Sequence, residues 1–194
     1  MEFSNSLCYN KKRITYAFVK GSDIVKSLLI LGAGGFGRTV RELAISLGDY
    51  DHIAFLDDGA LDADDVIAHC GAYRRESLIS EFSDAYPAFG DNSLRYAWMK
   101  ELHDAGYFVP TMIHPHAYIS PSADIGFGVI VLPNAVINTN TKVEDGSIIN
   151  IGALIDHDCT LGVCCHIAPG AIIKANNIVP PQAKVESGTV LQRK

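Results

Sequence analysis

The sequence has no excess of positive charge, no long hydrophobic run and no even set of cysteines, and each absence removes a class of protein. Its formal net charge is −6, and no cluster of Lys and Arg exceeds Lys11-Lys12-Arg13. Phosphate backbones are held by clustered cations, so no nucleic-acid partner is expected. No apolar stretch reaches the roughly 18 residues that cross a bilayer, so no membrane insertion is expected. Residues 14–19 are too few for the core of a signal peptide, and no clear cleavage site follows them. The five cysteines are odd in number and suggest no disulfide framework. A reduced, cytoplasmic protein is expected.

What the chain does have is a repeat. From Ile119 to Leu191 every sixth residue is Ile, Val or Leu, thirteen in succession, in a chain where these types make up about one residue in four. The residue two places before each is Ala, Ser, Thr or Cys, except Val129 and Asn177. A period of six fits neither the 3.6 of a helix nor a series of hairpins. It fits a parallel β-helix, in which each hexad is one short strand and one corner. Alternation along a strand turns both the large and the small residue inward, and a narrow tube admits only one large side chain per side. Three hexads per coil make about 18 residues, so positions 119–191 hold about four coils, a prism about 20 Å tall. An antiparallel sandwich would break this register at its turns. Cys159 and Cys165 fill small slots, as buried small apolar residues.

The amino-terminal half reads differently. Residues 1–26 form an extension with no legible function, in which 13–19 is either an extra edge strand or part of a tail. Leu28-Leu29-Ile30-Leu31 runs into Gly32-Ala33-Gly34-Gly35-Phe36-Gly37, then into a helical pattern over 38–47 with Val40, Leu43, Ala44 and Leu47 on one face. Strand, glycine turn and helix open a nucleotide-binding βαβ unit, whose glycines let the backbone approach a diphosphate. A second strand over 53–56 ends in Asp57-Asp58, where a carboxylate meets a ribose hydroxyl or a base amide. Alone, the glycines would suggest NAD, or merely tight packing of helix on strand. Only about 85 residues precede the solenoid, roughly half of a dinucleotide domain, and no separate domain remains for hydride chemistry. A third strand ends near Phe89, and a helix runs from Ser93 to about Ala105. Arg95 lies in its first turns, placed to meet a phosphate or simply the solvent. His52, His69 and His103 read as surface residues. His114 and His116 form either a metal pair or, as expected here, a connector of buried, hydrogen-bonded histidines.

One constellation on the solenoid carries chemistry. Asp156-His157-Asp158 follows the Ile155 slot, and His166 precedes the Ile167 slot. A histidine between two carboxylates has a fixed tautomer and suits a general base, or is simply a solvated histidine in an acidic corner. His157 and His166 lie half a coil apart and so point from different sides of one prism. Asn150 and His166 are nearly a full coil apart and lie together, one rung above the other. His157 therefore reaches such a pair only on another chain, which places the site at the interface of a homotrimer.

In combination these residues resemble the sialic acid O-acetyltransferase and nucleotide-aminosugar N-acetyltransferase family of the NeuD and PglD type. The resemblance is carried by the glycine turn, Phe55-Leu56-Asp57-Asp58, Gly90-Asp91-Asn92-Ser93-Leu94-Arg95, Ile113-His114 and the run from Asn150 to His166. It implies a left-handed parallel β-helix behind a small Rossmann-like domain, that is, α/β plus all-β. The divisions would be 1–26, 27–112 for the nucleotide sugar and 113–194 for acetyl transfer. It further implies a trimer, acetyl-coenzyme A between adjacent solenoids, no metal, and a nucleotide-linked sugar, usually a UDP-4-amino-4,6-dideoxysugar. His157 matches the base and Asp158 its supporting acid, while Asn150 and His166 match the acetyl site of the neighbouring subunit. Gly32, Gly34, Gly35, Phe36 and Gly37 match the diphosphate cradle, and Asp57, Asp58, Asn92 and Arg95 further nucleotide-sugar contacts. Phe36 stands where many members have a histidine, and the solenoid reads about one coil short. Ala175 or Asn176 would then supply part of the coenzyme contact. The alternatives are O-acetylation of sialic acid or a related sugar, or a non-catalytic scaffold that binds a nucleotide sugar. A metal-dependent hydratase on such a solenoid would need three converging histidines, and the coils offer two.

Overall fold

A computed structural model describes residues 26–59 and 65–193, so the expected edge strand or tail at 13–19 lies outside the described residues. The chain first builds a four-stranded parallel sheet from β1 (Ser27–Leu31), β2 (His52–Leu56), β3 (Val66–Ala68) and β4 (Asp84–Pro87), ordered β3-β2-β1-β4. Helices α1 (Gly35–Leu47), α2 (Glu76–Glu81) and α3 (Asn92–Asp104) connect and cover it. β1 lies between β2 and β4, and every one of its five residues is buried. That explains its unbroken aliphatic run, since a central parallel strand is covered on both faces.

The helix after the glycines begins at Gly35, three residues ahead of the expected start, because Gly35 and Gly37 themselves form its first turn. A Cβ on Gly37 would lie 1.9 Å from the carbonyl oxygen of Gly32, so only glycine lets helix and turn close this tightly. β3 escaped the sequence reading: it has three residues, and Ile67 on it points to solvent.

From Met112 onward the chain winds into three parallel sheets of two-residue strands, with four, five and five strands. Each strand pairs with the one eighteen residues further along, as in Ile148 with His166 and Leu154 with Ile172. The solenoid starts one side earlier than read, at Met112–Ile113. Ile113 and Thr111 keep the register of large and small residues, so the signal was present beneath the histidine connector.

The interior packs as the repeat demands. Ala135, Ala153, Cys159, Cys165 and Ala171 are buried beside Ile137, Ile155, Leu161, Ile167 and Ile173 in one core. Both exceptions to the small-residue rule are accommodated. Val129 is fully buried, and Asn177 turns inward with its amide donating to the Lys174 and Gln192 carbonyls. Corners recur every six residues in a left-handed backbone conformation, held by glycine or by Asn134, Asn140, Asp158, Cys164, Asn176 and Gln182. Asn and Asp enter that region more readily than other side chains, since a short polar side chain bonds locally.

The three outer faces differ. On one, Met112, Ile130 and Ile148 are buried, and Ile130 and Leu132 join the core of the amino-terminal sheet. A second carries Asp124, Lys142, Thr160 and Ile178. On the third, Tyr118, Val136, Leu154, Ile172 and Val190 stack into an apolar ladder, with Tyr118 55 % and Leu154 41 % exposed. Among the described residues no helix is long and apolar enough to cross a membrane.

Candidate active site

The strand order reverses at β1, and there the carboxyl ends of β1, β2 and β4 gather the glycine turn, Asp57-Asp58 and the segment after Pro87. Ligands of open parallel sheets sit at this switch point. Gly34 and Gly35 are exposed at the start of α1, with open space where a side chain would be. Asp57 is spent partly on the turn itself, as its carboxylate accepts from the amides of Ala33 at 2.7 Å and Gly59 at 2.8 Å. Asp58 stands at the rim, its side chain 72 % exposed, and accepts from the Cys70 amide. Phe36 is half-buried and packs against the domain core.

Asn92 and Arg95 turn toward the solenoid. The expected role was contact with the nucleotide sugar, with solvent as the alternative for Arg95. Instead Arg95 is 0 % exposed and donates to the carbonyl oxygens of Gly146, Phe89 and Cys164 at 2.8–2.9 Å. Asn92 accepts from Arg95 and donates to the Gln182 and Ala183 carbonyls. The solenoid draws both side chains away because its corner carbonyls supply a ready-made set of acceptors, which sequence spacing does not reveal. The connector also differs from expectation: His114 is half-buried and accepts from the His116 amide, but His116 is exposed.

The carboxylate–histidine cluster occupies the corner after the Leu154–Ile155 strand, at the edge of the apolar ladder. The His157 ring lies with Nδ1 2.7 Å from Asp158 Oδ2, and the side chain is 47 % exposed. A carboxylate only accepts, so Nδ1 carries the hydrogen and Nε2 presents its lone pair. Asp158 is a left-handed corner residue with φ 57°, braced by Asn140 from the coil before at 3.2 Å. The His157 ring, then Asn140, hold its carboxyl below the usual carboxylate range. Asp156 accepts from the His157 amide at 2.8 Å and from Asn138 at 3.2 Å, and the His157 amide chiefly pulls its pKa down. An adjoining groove of about 260 Å³ is lined by Val136, Asn138, Leu154, Asp156, Ile172 and Lys174.

The second expected group also assembles. Asn150 Nδ2 lies 3.1 Å from His166 Nε2, while Asn150 Oδ1 accepts from the Ile151 amide. That second bond fixes the amide so that Nδ2 faces the ring, which leaves the imidazole hydrogen on Nδ1. Nδ1 is buried and has no partner among the described residues. Burial first, then the charges of Arg95 and Lys184, push His166 down to about 4, so the ring is neutral. His157 sits at the corner after the Leu154–Ile155 strand of one sheet, and His166 lies on a strand of another.

Ala175, the expected coenzyme contact, is 7 % exposed. Cys164 adjoins the site as a buried thiol pushed by desolvation up to about 11, and is no nucleophile. Among the described residues no three His, Cys, Asp or Glu side chains are placed to hold a metal ion.

Comparison with known proteins agrees with this architecture. The PglD N-terminal domain family matches residues 27–102. The acetyltransferase domain of PglB from Neisseria gonorrhoeae FA1090, solved in complex with acetyl coenzyme A, is 37 % identical, with a TM-score of 0.79 over 86 % of this chain and 82 % of that one. PerB from Caulobacter crescentus, solved with CoA and GDP-perosamine, is 28 % identical, with a TM-score of 0.63 over 88 % of this chain and 93 % of that one. A GDP-perosamine N-acetyltransferase of Escherichia coli O157:H7 is 23 % identical over 172 residues, 84 % of this chain and 77 % of its own. The likeness to the PglB domain spans both the parallel sheet and the coils, and the protein belongs to the PglD type of hexapeptide-repeat sugar N-acetyltransferases.

Proposed function

We propose that this protein transfers the acetyl group of acetyl-coenzyme A to the amino group of a nucleotide-linked amino-dideoxysugar. The observation that carries the reading is the His157 ring, locked through Nδ1 to Asp158 at 2.7 Å with its other nitrogen free on an exposed corner. The sugar amine attacks the thioester carbonyl carbon while Nε2 of His157 takes a proton from the nitrogen. The tetrahedral adduct then expels coenzyme A as thiolate, which recovers the proton from His157. Asp158 stabilises the imidazolium between the two transfers. No acyl-enzyme forms.

The oxyanion needs a donor, and His166 is poorly placed to be one, because its Nε2 accepts from Asn150. The second hydrogen of the Asn150 amide takes that role. His157 lies on another face of the same prism, so the donor comes from an adjacent copy. A homotrimer meets this requirement, and the ladder of Tyr118, Val136, Leu154, Ile172 and Val190 supports it. An exposed apolar stripe with a functional group at its edge is the signature of a buried interface. The coenzyme follows the groove along that face, and the glycine turn with Asp58 holds the diphosphate and nucleoside. A cytoplasmic setting suits the unpaired thiols of Cys70, Cys159, Cys164 and Cys165.

The sequence resemblance points to UDP, whereas one relative is named for a GDP-linked sugar and another was solved with one. A thiol-release assay with acetyl-coenzyme A across UDP-, GDP-, dTDP- and CMP-linked amino sugars decides between them. Release with one nucleotide class is expected. A chain that binds a nucleotide sugar and never releases thiol would be a scaffold.

A further inference from the structure

The geometry points to Arg95 as a positioning residue of the transfer step, a side chain of the nucleotide-binding half that holds the His166 rung of the solenoid in place. This rests on the reading of Asn150 and His166 as the acetyl-side wall. The first turn of α3 lies against one corner of the prism, at the same point on three successive coils. The corner residues are Gly146, Cys164 and Gln182, with φ of 67°, 51° and 58°. Arg95 Nε donates to the Gly146 carbonyl at 2.9 Å and Nη2 to the Cys164 carbonyl at 2.8 Å. Asn92, itself bonded to Arg95 at 2.7 Å, donates to the Gln182 carbonyl at 2.9 Å, and Ser93 reaches the Gln182 side chain. One guanidinium and one amide therefore staple three rungs.

The corner is shaped to admit that helix. A Cβ on Gly146 would lie 2.3 Å from the Met99 sulfur and 2.5 Å from that of Cys164. Packing alone does not call for a cation here, because a buried charge is costly and an apolar side chain of similar size is usually as stabilising. What the planar fork adds is direction: several carbonyls are held at fixed angles at once. Cys164 and Cys165 lead directly into His166, so fixing their backbone sets where that ring emerges. On the other side, Nη1 holds the Phe89 carbonyl, and the Phe89 ring abuts Gly32 of the nucleotide cradle.

The charge has a second effect. Arg95 on α3 and Lys184 on the following coil oppose a proton on His166, Glu186 favours one, and Asn150 meets the ring from the preceding coil. A neutral ring accepts from Asn150 and leaves the amide's other hydrogen pointing away. A protonated ring would present a hydrogen at Nε2 and turn that amide over, removing the donor. Arg95 thus sets the place of the group that aims Asn150 and, after burial, adds to what keeps that group neutral.

The test uses the full chain with Arg95→Lys, Arg95→Met and Asn92→Ala, following His166 by nitrogen NMR beside steady-state kinetics and nucleotide-sugar calorimetry. In Arg95→Met the His166 midpoint should rise by about one unit or more. In Arg95→Lys, which keeps the charge and loses the fork, it should stay low while kcat still drops roughly tenfold or more. Nucleotide-sugar affinity should stay within about twofold of wild type, since the loss belongs to the transition state. If Arg95→Met does not fold, Asn92→Ala, which frees one side of the fork, should show the same fall in kcat at unchanged affinity. Wild-type kcat in Arg95→Lys and Asn92→Ala, or a loss confined to KM for the nucleotide sugar, would overturn the proposal. If instead Asn150→Ala and His166→Asn keep wild-type kcat, the acetyl-wall assignment fails, while the NMR midpoint still reports whether Arg95 governs the ring.

Discussion

In the solenoid, distance along the chain translates into distance in space; in the amino-terminal domain it does not. A step of eighteen residues is one rung, so Asn140 braces Asp158 and Asn138 braces Asp156 by the same displacement. The amino-terminal sheet has no such rule. β1 pairs with a strand about 25 residues later and with another nearly sixty residues later, and Arg95 spends its hydrogen bonds on partners 51 and 69 residues away. A side chain on the repeat inherits its surroundings from its neighbours in the ladder. A side chain on the sheet acquires them one contact at a time.

The contrast can be broken most severely at the chemistry. His157→Ala should lower kcat by a factor of about 10²–10⁴ and leave nucleotide-sugar binding unchanged by calorimetry, because the base belongs to the solenoid and the cradle to the other half. Turnover near wild type would show that the corner is decoration. Nearly as large is the expected effect of Leu154→Asp, which places a charge in the middle of the apolar ladder. Sedimentation should then show monomers, and activity should fall with assembly although every residue of the site is intact. A monomer with full turnover would refute the shared cleft.

Next comes the repeat itself. Ala135 and Ala171 are equivalent slots two coils apart, both 0 % exposed. A leucine at either should overpack the tube by about 1–3 kcal/mol. The melting temperature should drop by several degrees at both sites, at about 2–4 °C per kcal/mol for a chain of this size. Unequal losses would mean that translational equivalence fails. The smallest effect concerns pH. His166 is pushed down to about 4 in the folded chain, below its ordinary value near 6.5. Between those values the unfolded chain binds the extra proton, so stability is full above about 6.5 and declines as pH falls toward about 4. His166→Asn should flatten that part of the curve of melting temperature against pH.

Much of the site was legible because its parts are local or periodic. The His157–Asp158 pair is formed by adjacent residues at a corner, and the Asn150–His166 contact follows from a separation close to one coil. The start at Met112 is harder to read although Ile113 and Thr111 keep the register, because Pro115 and two histidines have the composition of a linker. The surroundings of Arg95 are not legible in the sequence, for a deeper reason. Its motif sits at the carboxyl end of a strand, where phosphate contacts occur, and nothing nearby in sequence announces the corner carbonyls of Gly146 and Cys164.

The amino-acid order by itself determined the tube, its rung spacing, the carboxylate–histidine corner and the glycine turn, because each follows from short-range sterics repeated at a fixed interval. Tertiary structure alone decided which face of the prism the sheet covers, which face stays apolar and open, and where the buried guanidinium goes. Those outcomes depend on how two independently patterned surfaces meet, and no periodicity within either one encodes the contact between them.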